Sequence, residues 1–185
     1  MRIIGGIYKG FNLSTFNGKG IRPTPSIIRE ALFDILGTKI IESEFLDLFA
    51  GTGAVGIEAF SRGARRITFV ELNLEGIALI RRNIAKIDHQ ECFDIIRNHS
   101  IRAIKKLKTH RKKFDIVFLD PPYDHREYLL ESLQEIELNS ILKNESIIIV
   151  QHQKKEDLNY NSQRIIFLKE KNYGKSKISI FRFQE

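Results

Sequence analysis

Only one cysteine, Cys92, occurs among the 185 residues. That excludes an internal disulfide and leaves Cys92 to pack as a small apolar side chain. The five histidines are scattered, and no Cys/His spacing is that of a metal site. No apolar run approaches the roughly 20 residues of a membrane span. Met1-Arg2-Ile3-Ile4-Gly5-Gly6 lacks the long apolar stretch of a secretory signal, so the expectation is a cytoplasmic protein. Internal repeats, low-complexity stretches and linkers are also missing. What is present is an ordinary globular composition, 42% hydrophobic, in a chain long enough for one domain with a substantial core.

Acidic residues are in the minority. The formal net charge is +7 and the sequence pI about 9.5, which favours a polyanionic partner. Residues 1–40 hold Arg2, Lys9, Lys19, Arg22, Arg29 and Lys39 against Glu30 and Asp34. More than half of the excess positive charge therefore sits in under a quarter of the chain. Further clusters are Arg62/Arg65/Arg66 and Lys105/Lys106/Lys108/Arg111/Lys112/Lys113.

Along the chain, Arg2–Ile4 and Ile7–Leu13 read as two short strands around a Gly5-Gly6 turn. Arg22-Pro23-Thr24-Pro25 is stiff and extended, because each proline restricts its predecessor. Ser26 reads as the N-cap of a helix whose apolar face is Ile27, Ile28, Ala31, Leu32, Ile35 and Leu36, ended by Gly37. Strand candidates 45–49, 66–70, 93–97, 114–119 and 145–150 then alternate with helix candidates 54–62, 75–87, 100–108 and 126–139. This alternation predicts right-handed crossovers and a mostly parallel sheet. Gln163–Leu168 and Lys177–Phe183, separated by Lys169–Ser176, predict a closing antiparallel hairpin and bring the sheet to seven strands. The expected organisation is one α/β domain: residues 1–40 as an appendage of hairpin and helix that binds a polyanion, residues 41–185 as the core.

Two short segments carry chemistry. Each sits where a buried strand ends, and in an open parallel sheet ligands bind beyond the carboxyl ends of the strands. The first is Gly51-Thr52-Gly53-Ala54-Val55-Gly56, a G-x-G-x-x-G run after a strand and before a helix. Glycines there let the chain approach a ligand closely. Glu71 ends the next strand, where a carboxylate can accept from both ribose hydroxyls. Loop and Glu71 together imply an adenosine-containing ligand. Asp47, four residues before Gly51, tilts the choice: its charge would repel a pyrophosphate and attract the ammonium of S-adenosylmethionine. Asn73 is placed either to touch adenine or ribose or simply to cap the next helix.

The second segment is Asp120-Pro121-Pro122-Tyr123, after Phe114–Leu119. The amino group on a purine is a poor nucleophile because its lone pair is delocalised. Asp120 can accept one N–H and the Pro121 carbonyl the other, leaving the lone pair aimed at a methyl carbon. The prolines stiffen the loop, and Tyr123 offers a face for stacking. Catalysis of this kind is orientation and electrostatics, not general-base chemistry.

Arg2-Ile3-Ile4-Gly5-Gly6, Arg22-Pro23-Thr24, Arg29-Glu30-Ala31-Leu32-Phe33, the Phe49–Gly53 loop, Asp120–Tyr123 and Tyr173-Gly174 closely resemble the RsmD family over essentially the whole length. That family comprises bacterial enzymes that methylate N2 of one guanine in small-subunit ribosomal RNA. The resemblance implies a Rossmann-like class I S-adenosylmethionine-dependent methyltransferase fold acting on 16S rRNA, within an assembly particle, as a monomer. It implies that Phe49, Gly51, Thr52 and Gly53 line the cofactor, that Glu71 binds ribose, and that Asp120, Pro121, Pro122 and Tyr123 hold guanine. Arg2, Lys9, Lys19 and Arg22 would hold the surrounding RNA. The chain departs from the family after the third core strand, where such enzymes often place an acidic or amide residue near the adenine amino group. Arg97-Asn98-His99-Ser100 stands there, and either Asn98 or His99 can serve.

Other readings explain less. A DNA adenine-N6 methyltransferase shares Asp-Pro-Pro-Tyr but needs an element to read base edges, and no spare length remains for one. A protein amine or glutamine methyltransferase does not call for the basic N-terminus. A nicotinamide-dependent reductase leaves Asp120–Tyr123 idle, and a non-catalytic RNA-binding module leaves both crevice motifs unused.

Overall fold

The computed structural model describes residues 1–15, 24–122, 126–156, 158, 160 and 162–185, with residue 126 described in its backbone only. Lys19, Arg22 and Tyr123 lie outside the described residues. Five helices and seven strands follow in the order α1 (Ser26–Leu36), β1 (Glu44–Asp47), α2 (Ala54–Ser61), β2 (Arg66–Glu71), α3 (Leu74–Ile84), β3 (Phe93–Arg97), α4 (Ser100–Thr109), β4 (Phe114–Leu119), α5 (Arg126–Asn139), β5 (Leu142–Gln153), β6 (Ile165–Tyr173) and β7 (Ser176–Phe183). The strands form one sheet in the order β3-β2-β1-β4-β5-β7-β6. The first five are parallel. β7 runs antiparallel to both β5 and β6. The order reverses between β1 and β4, which opens a crevice at their carboxyl ends.

Alternation along the strands sorts the core into two layers. Phe45, Ile67, Phe69, Ile116, Phe118, Ile147 and Ile149 pack with α1, α2 and α3. Leu46, Val70, Val117, Leu119, Ile148 and Val150 pack with α4 and α5. No described helix is long and apolar enough to cross a membrane. Among the described residues no group of His, Cys, Asp and Glu could hold a metal ion.

The N-terminal hairpin is shorter than its pattern predicts. An antiparallel bridge pairs Arg2 with Asn12, and Ile3 N donates to Phe11 O, Gly10 N to Ile3 O and Leu13 N to Met1 O. The turn between the paired ends is longer than Gly5-Gly6 and bonds to the end of α2. Ile7 N donates to Ser61 O at 2.7 Å, Tyr8 N to Ser61 Oγ at 3.0 Å, and Ser61 Oγ to Gly5 O at 2.6 Å. Buried backbone groups must find partners, and α2 supplies them for the turn between the two paired ends. Ile3 and Leu13, 1% and 4% exposed, are part of the main core. Below them Arg29 and Glu58 form a buried ion pair, and Arg29 also donates to the Arg2 carbonyl.

Other details differ as well: β5 extends to Leu142–Gln153 and α3 stops at Ile84. Pro25, not Ser26, occupies the cap position of α1, and its carbonyl accepts from Ile28 N and Arg29 N. Ile27 is exposed while Phe33 is buried, because α1 is covered on a second side, where the Arg62 guanidinium lies 4.9 Å from the Phe33 ring. The final hairpin is tighter than expected: strand structure continues through Tyr173 and resumes at Ser176, with Gly174 at φ 59° in the turn. Lys169–Tyr173 read as loop because an edge strand is exposed and polar, which hides the alternation.

Candidate active site

Four polar residues stand on one face where the parallel pairing of four neighbouring strands runs out: Glu71 on β2, Asp47 on β1, Asp120 after β4 and Gln151 on β5. Each continues the alternation of the α1-facing layer, with Asp47 opposite Phe69 and Phe118 and so two residues deeper than Glu71 and Asp120. The glycine loop 51–53 bridges the end of β1 and α2 above them.

Glu71 holds that loop. Its Oε2 accepts from Gly51 N at 2.7 Å and its Oε1 from Asn73 N at 2.7 Å. Each carboxylate oxygen keeps a second acceptor position, so the pair of hydroxyls expected on a ribose finds a pre-positioned partner. Gly76 makes this possible: a Cβ there would lie 2.9 Å from both Glu71 Cγ and the Gly51 carbonyl oxygen. Gly53 has φ +76°, and a Cβ would meet Ile80 Cγ1 at 2.9 Å. That glycine is required by its backbone and by the core beneath it, rather than by clearance for a ligand.

Asn73 is the helix cap of its two readings, accepting from Glu75 N at 2.8 Å. Thr52 is buried, and its carbonyl accepts from Asn83 Nδ2 at 3.3 Å. The same Asn83 accepts from Ser14 N at 2.7 Å and donates to Ser14 O at 3.1 Å. One side chain thus ties the N-terminal segment to the glycine loop. Phe49 packs toward the α4 and α5 layer. Asn98 donates its backbone N–H to Glu71 O at 3.2 Å, while its Oδ1 accepts from His99 N at 3.0 Å. The His99 ring stands edge-on to Tyr128, centroids 4.7 Å apart.

Asp47 is 1% exposed, so it does not line an open crevice as its position in the sequence suggests. It is turned under the loop and accepts from Gly56 N at 3.2 Å. Burial pushes its carboxyl up to about 8, helped by the charges of Asp120 and Glu71 and opposed by the Gly56 N–H. Since the unfolded group titrates near 3.8, the folded state binds the extra proton between about pH 4 and 8. The Asp47 contribution to stability therefore falls as pH rises through that window. Asp47→Asn keeps an acceptor for Gly56 and removes the charge. It should raise the melting temperature at pH 8 by several degrees, at about 2–4 °C per kcal/mol for a chain of this size, and change it little at pH 4. Equal shifts at both pH values, read by thermal denaturation, would refute the buried-acid description.

Asp120 is half-buried beyond β4. Its Oδ2 accepts from Thr24 Oγ1 at 3.2 Å, which leaves Oδ1 for another donor. Burial pushes its carboxyl up to about 7, against the Thr24 hydrogen bond. Pro121 is buried and Pro122 exposed. Thr24, Asn83, Gly76 and Gln151 were not singled out as site residues in the sequence. The Arg-Pro-Thr run marked the neighbourhood of Thr24, and a polar residue directly after the apolar run Ile147–Val150 is the signal that could have found Gln151.

Known proteins match the chain over nearly its whole length. The profile of the family described as "Conserved hypothetical protein 95" matches residues 1–182. A Haemophilus influenzae protein, Ribosomal RNA small subunit methyltransferase D, is 34% identical over 175 residues, 94% of this chain and 89% of that protein. The chain belongs to the RsmD family. A family relative of the same name from Buchnera aphidicola is 36% identical over 156 residues, 84% of this chain and 80% of its own. The solved structure of yhhF from Escherichia coli superposes with a TM-score of 0.88 at 27% identity, covering 100% of this chain and 98% of that one. The family fold is the Rossmann-like class I methyltransferase fold, and this chain has it, with the antiparallel β5-β7-β6 end.

Of the residues expected on RNA, Arg2 and Lys9 are exposed. Arg2 Nε donates to Asn12 Oδ1 at 3.2 Å. Lys86, on the α3 side of the same segment, reaches Ser14 Oγ at 3.0 Å and extends the basic surface.

Proposed function

We propose that this chain methylates the exocyclic N2 amine of a guanine in 16S rRNA, with S-adenosylmethionine as the donor. The observation that carries the reading is Asp120: a half-buried carboxylate at the end of β4, one oxygen held by Thr24, across the switch point from the Glu71-held loop. The substrate class follows the relatives named as small-subunit ribosomal RNA methyltransferases.

S-adenosylmethionine supplies an electrophilic methyl group. Glu71 would accept from its ribose hydroxyls, and the backbone of Gly51–Gly53 would run alongside it. Asp47, beneath the loop, would face the ammonium of the methionine moiety, through the loop or through water. Asn98 or His99 would meet the adenine edge. Asp120 Oδ1 and the Pro121 carbonyl would accept the two N–H groups of the guanine amine, and Tyr123 would stack on the base. Fixing those two protons fixes the direction of the lone pair, so the gain is in orientation. Once alkylated the nitrogen loses its proton readily, and no strong base is required. Guanine N2 lies in the minor groove of a paired helix, so the target is unpaired or flipped out. We place the reaction in the cytoplasm, on RNA held in an assembly particle, with a monomeric enzyme. A DNA adenine-N6 methyltransferase remains the rival reading and gives a different product.

The test is nucleoside mass spectrometry of small-subunit RNA after incubation with the protein and labelled S-adenosylmethionine. Label in N2-methylguanosine is expected. Label in N6-methyladenine, or none in RNA, would sink the reading.

The N-terminal segment is proposed to hold the surrounding RNA. Phosphate contacts give an affinity that falls steeply with salt. Neutralising Arg2 and Lys9 together should weaken RNA binding several-fold at low salt and reduce the slope of log K against log salt by about 1–2. Deleting the segment is a poorer test, because Ile3 and Leu13 belong to the core and Asn83 ties Ser14 to Thr52. An unchanged salt slope in the doubly neutralised protein would limit the segment to a structural role.

A further inference from the structure

Gln151 is a buried amide with no visible structural task. It is 2% exposed, and its Oε1 has no hydrogen-bond partner. A buried acceptor left unpaired is costly, and native proteins seldom tolerate one without a reason. Its position supplies the reason. β4 and β5 run parallel with Ile116 opposite Ile147, Phe118 opposite Ile149, and Leu119 opposite Val150. Continued one step beyond β4, the same register sets Asp120 beside Gln151 of the neighbouring strand, at about the 4.8 Å spacing of paired strands. Ile116, Phe118, Ile147 and Ile149 all face the α1 layer, whereas Val117, Leu119, Ile148 and Val150 face the other. Alternation therefore puts the Gln151 side chain on the face that Asp120 uses, and the bond from Thr24, which precedes α1, confirms that face for Asp120.

We infer that Gln151 is the specificity-determining residue of the acceptor site and takes the N1–H of the target guanine on its Oε1. The inference rests on the proposed guanine-N2 reading and deepens it. Guanine presents two kinds of donor on one edge, the 2-amino group and the adjacent N1–H. Two acceptors on adjacent strands match that edge, Asp120 for the amine and Gln151 for N1–H. Adenine presents its 6-amino group beside an unprotonated N1, so Oε1, as the structure orients it, would face a lone pair, and the amide would have to turn over to offer its NH2. A site that leaves a buried polar group unpaired rejects an analogue far more strongly than one that merely loses an apolar contact. Gln151 thus separates a guanine from an adenine with the same Asp-Pro-Pro-Tyr loop.

The experiment compares small-subunit RNA carrying either guanine or 2-aminopurine at the mapped target. 2-Aminopurine keeps the reacting amine and lacks N1–H. Wild-type kcat/KM should favour guanine by about 10–10², the scale of one unpaired buried group. Gln151→Leu should lose about that factor on guanine and change little on 2-aminopurine, so that the preference collapses. Gln151→Glu, which also presents acceptors, should keep the preference. S-adenosylhomocysteine affinity, measured by calorimetry, should match wild type in both variants and reports their folding. If Gln151→Leu does not fold, loss of the preference in Gln151→Glu would by itself overturn the assignment. Equal losses on both bases in a folded Gln151→Leu protein would overturn it too, leaving the acceptor reading intact. Failure of the wild-type enzyme to methylate the guanine RNA would overturn that reading and this inference with it.

Discussion

Asp120→Ala is expected to lower kcat by roughly 10²–10³, the scale of losing one aligned electrostatic contact at the reacting atom, while S-adenosylhomocysteine affinity stays within a few-fold. The proposed cofactor contacts lie mainly on β1, β2 and the glycine loop, whereas Asp120 stands beyond β4 and is bonded to Thr24. Separating kcat from cofactor Kd is therefore possible by removing one side chain. The pH dependence sharpens the expectation. With its carboxyl pushed up to about 7, Asp120 offers the amine a charged acceptor above that pH and a weaker, neutral one below it. The wild-type rate should climb about tenfold per unit below pH 7 and level off above it. Thr24→Val removes a hydrogen bond that favours the charged form. Its rate profile should move to higher pH, and Thr24→Ser should restore it. A fully active Asp120→Ala enzyme would end the orientation mechanism. A Thr24→Val profile that falls uniformly, with no displacement along the pH axis, would reduce Thr24 to a packing residue.

Glu71→Ala should weaken S-adenosylhomocysteine binding by about 10² or more. Hydrogen bonds to a charged group contribute about 1.5–3 kcal/mol each, tenfold in Kd is about 1.4 kcal/mol, and two ribose hydroxyls are at stake. The same change frees Gly51 N and Asn73 N, which Glu71 now holds, so the loop also loses its preformed shape. Glu71→Gln keeps the length and one acceptor oxygen but turns an NH2 toward a backbone N–H, and should fall between wild type and Glu71→Ala. Calorimetry on folded variants decides the matter, and unchanged affinity would refute the ribose assignment. Glycine variants are less informative here. A side chain at Gly53 must adopt φ +76° and displace Ile80, which perturbs folding before binding.

The sequence alone determined the sheet, its crevice and the two loops that face it. Apolar period, glycine and proline act within a few residues, so β3, β4 and α5 begin and end where the pattern places them. Gly51–Gly53 and Asp120–Pro122 fall at strand ends for the same local reason. Long-range partners were beyond that reading. Thr24 meets Asp120 across 96 positions of sequence, and Asn83 meets Ser14 across 69. The N-terminal run pairs antiparallel at its ends, as its strand pattern predicts. The donors of its long turn found Ser61 at the end of α2, a partner that exists only once the chain is packed. Protonation was equally out of reach: Asp47 reads as one more acidic residue at a strand end, and its burial in the packed chain pushes it up to about 8. Gln151 was hidden for the same reason, since an unpaired acceptor is visible only when every neighbour is in place.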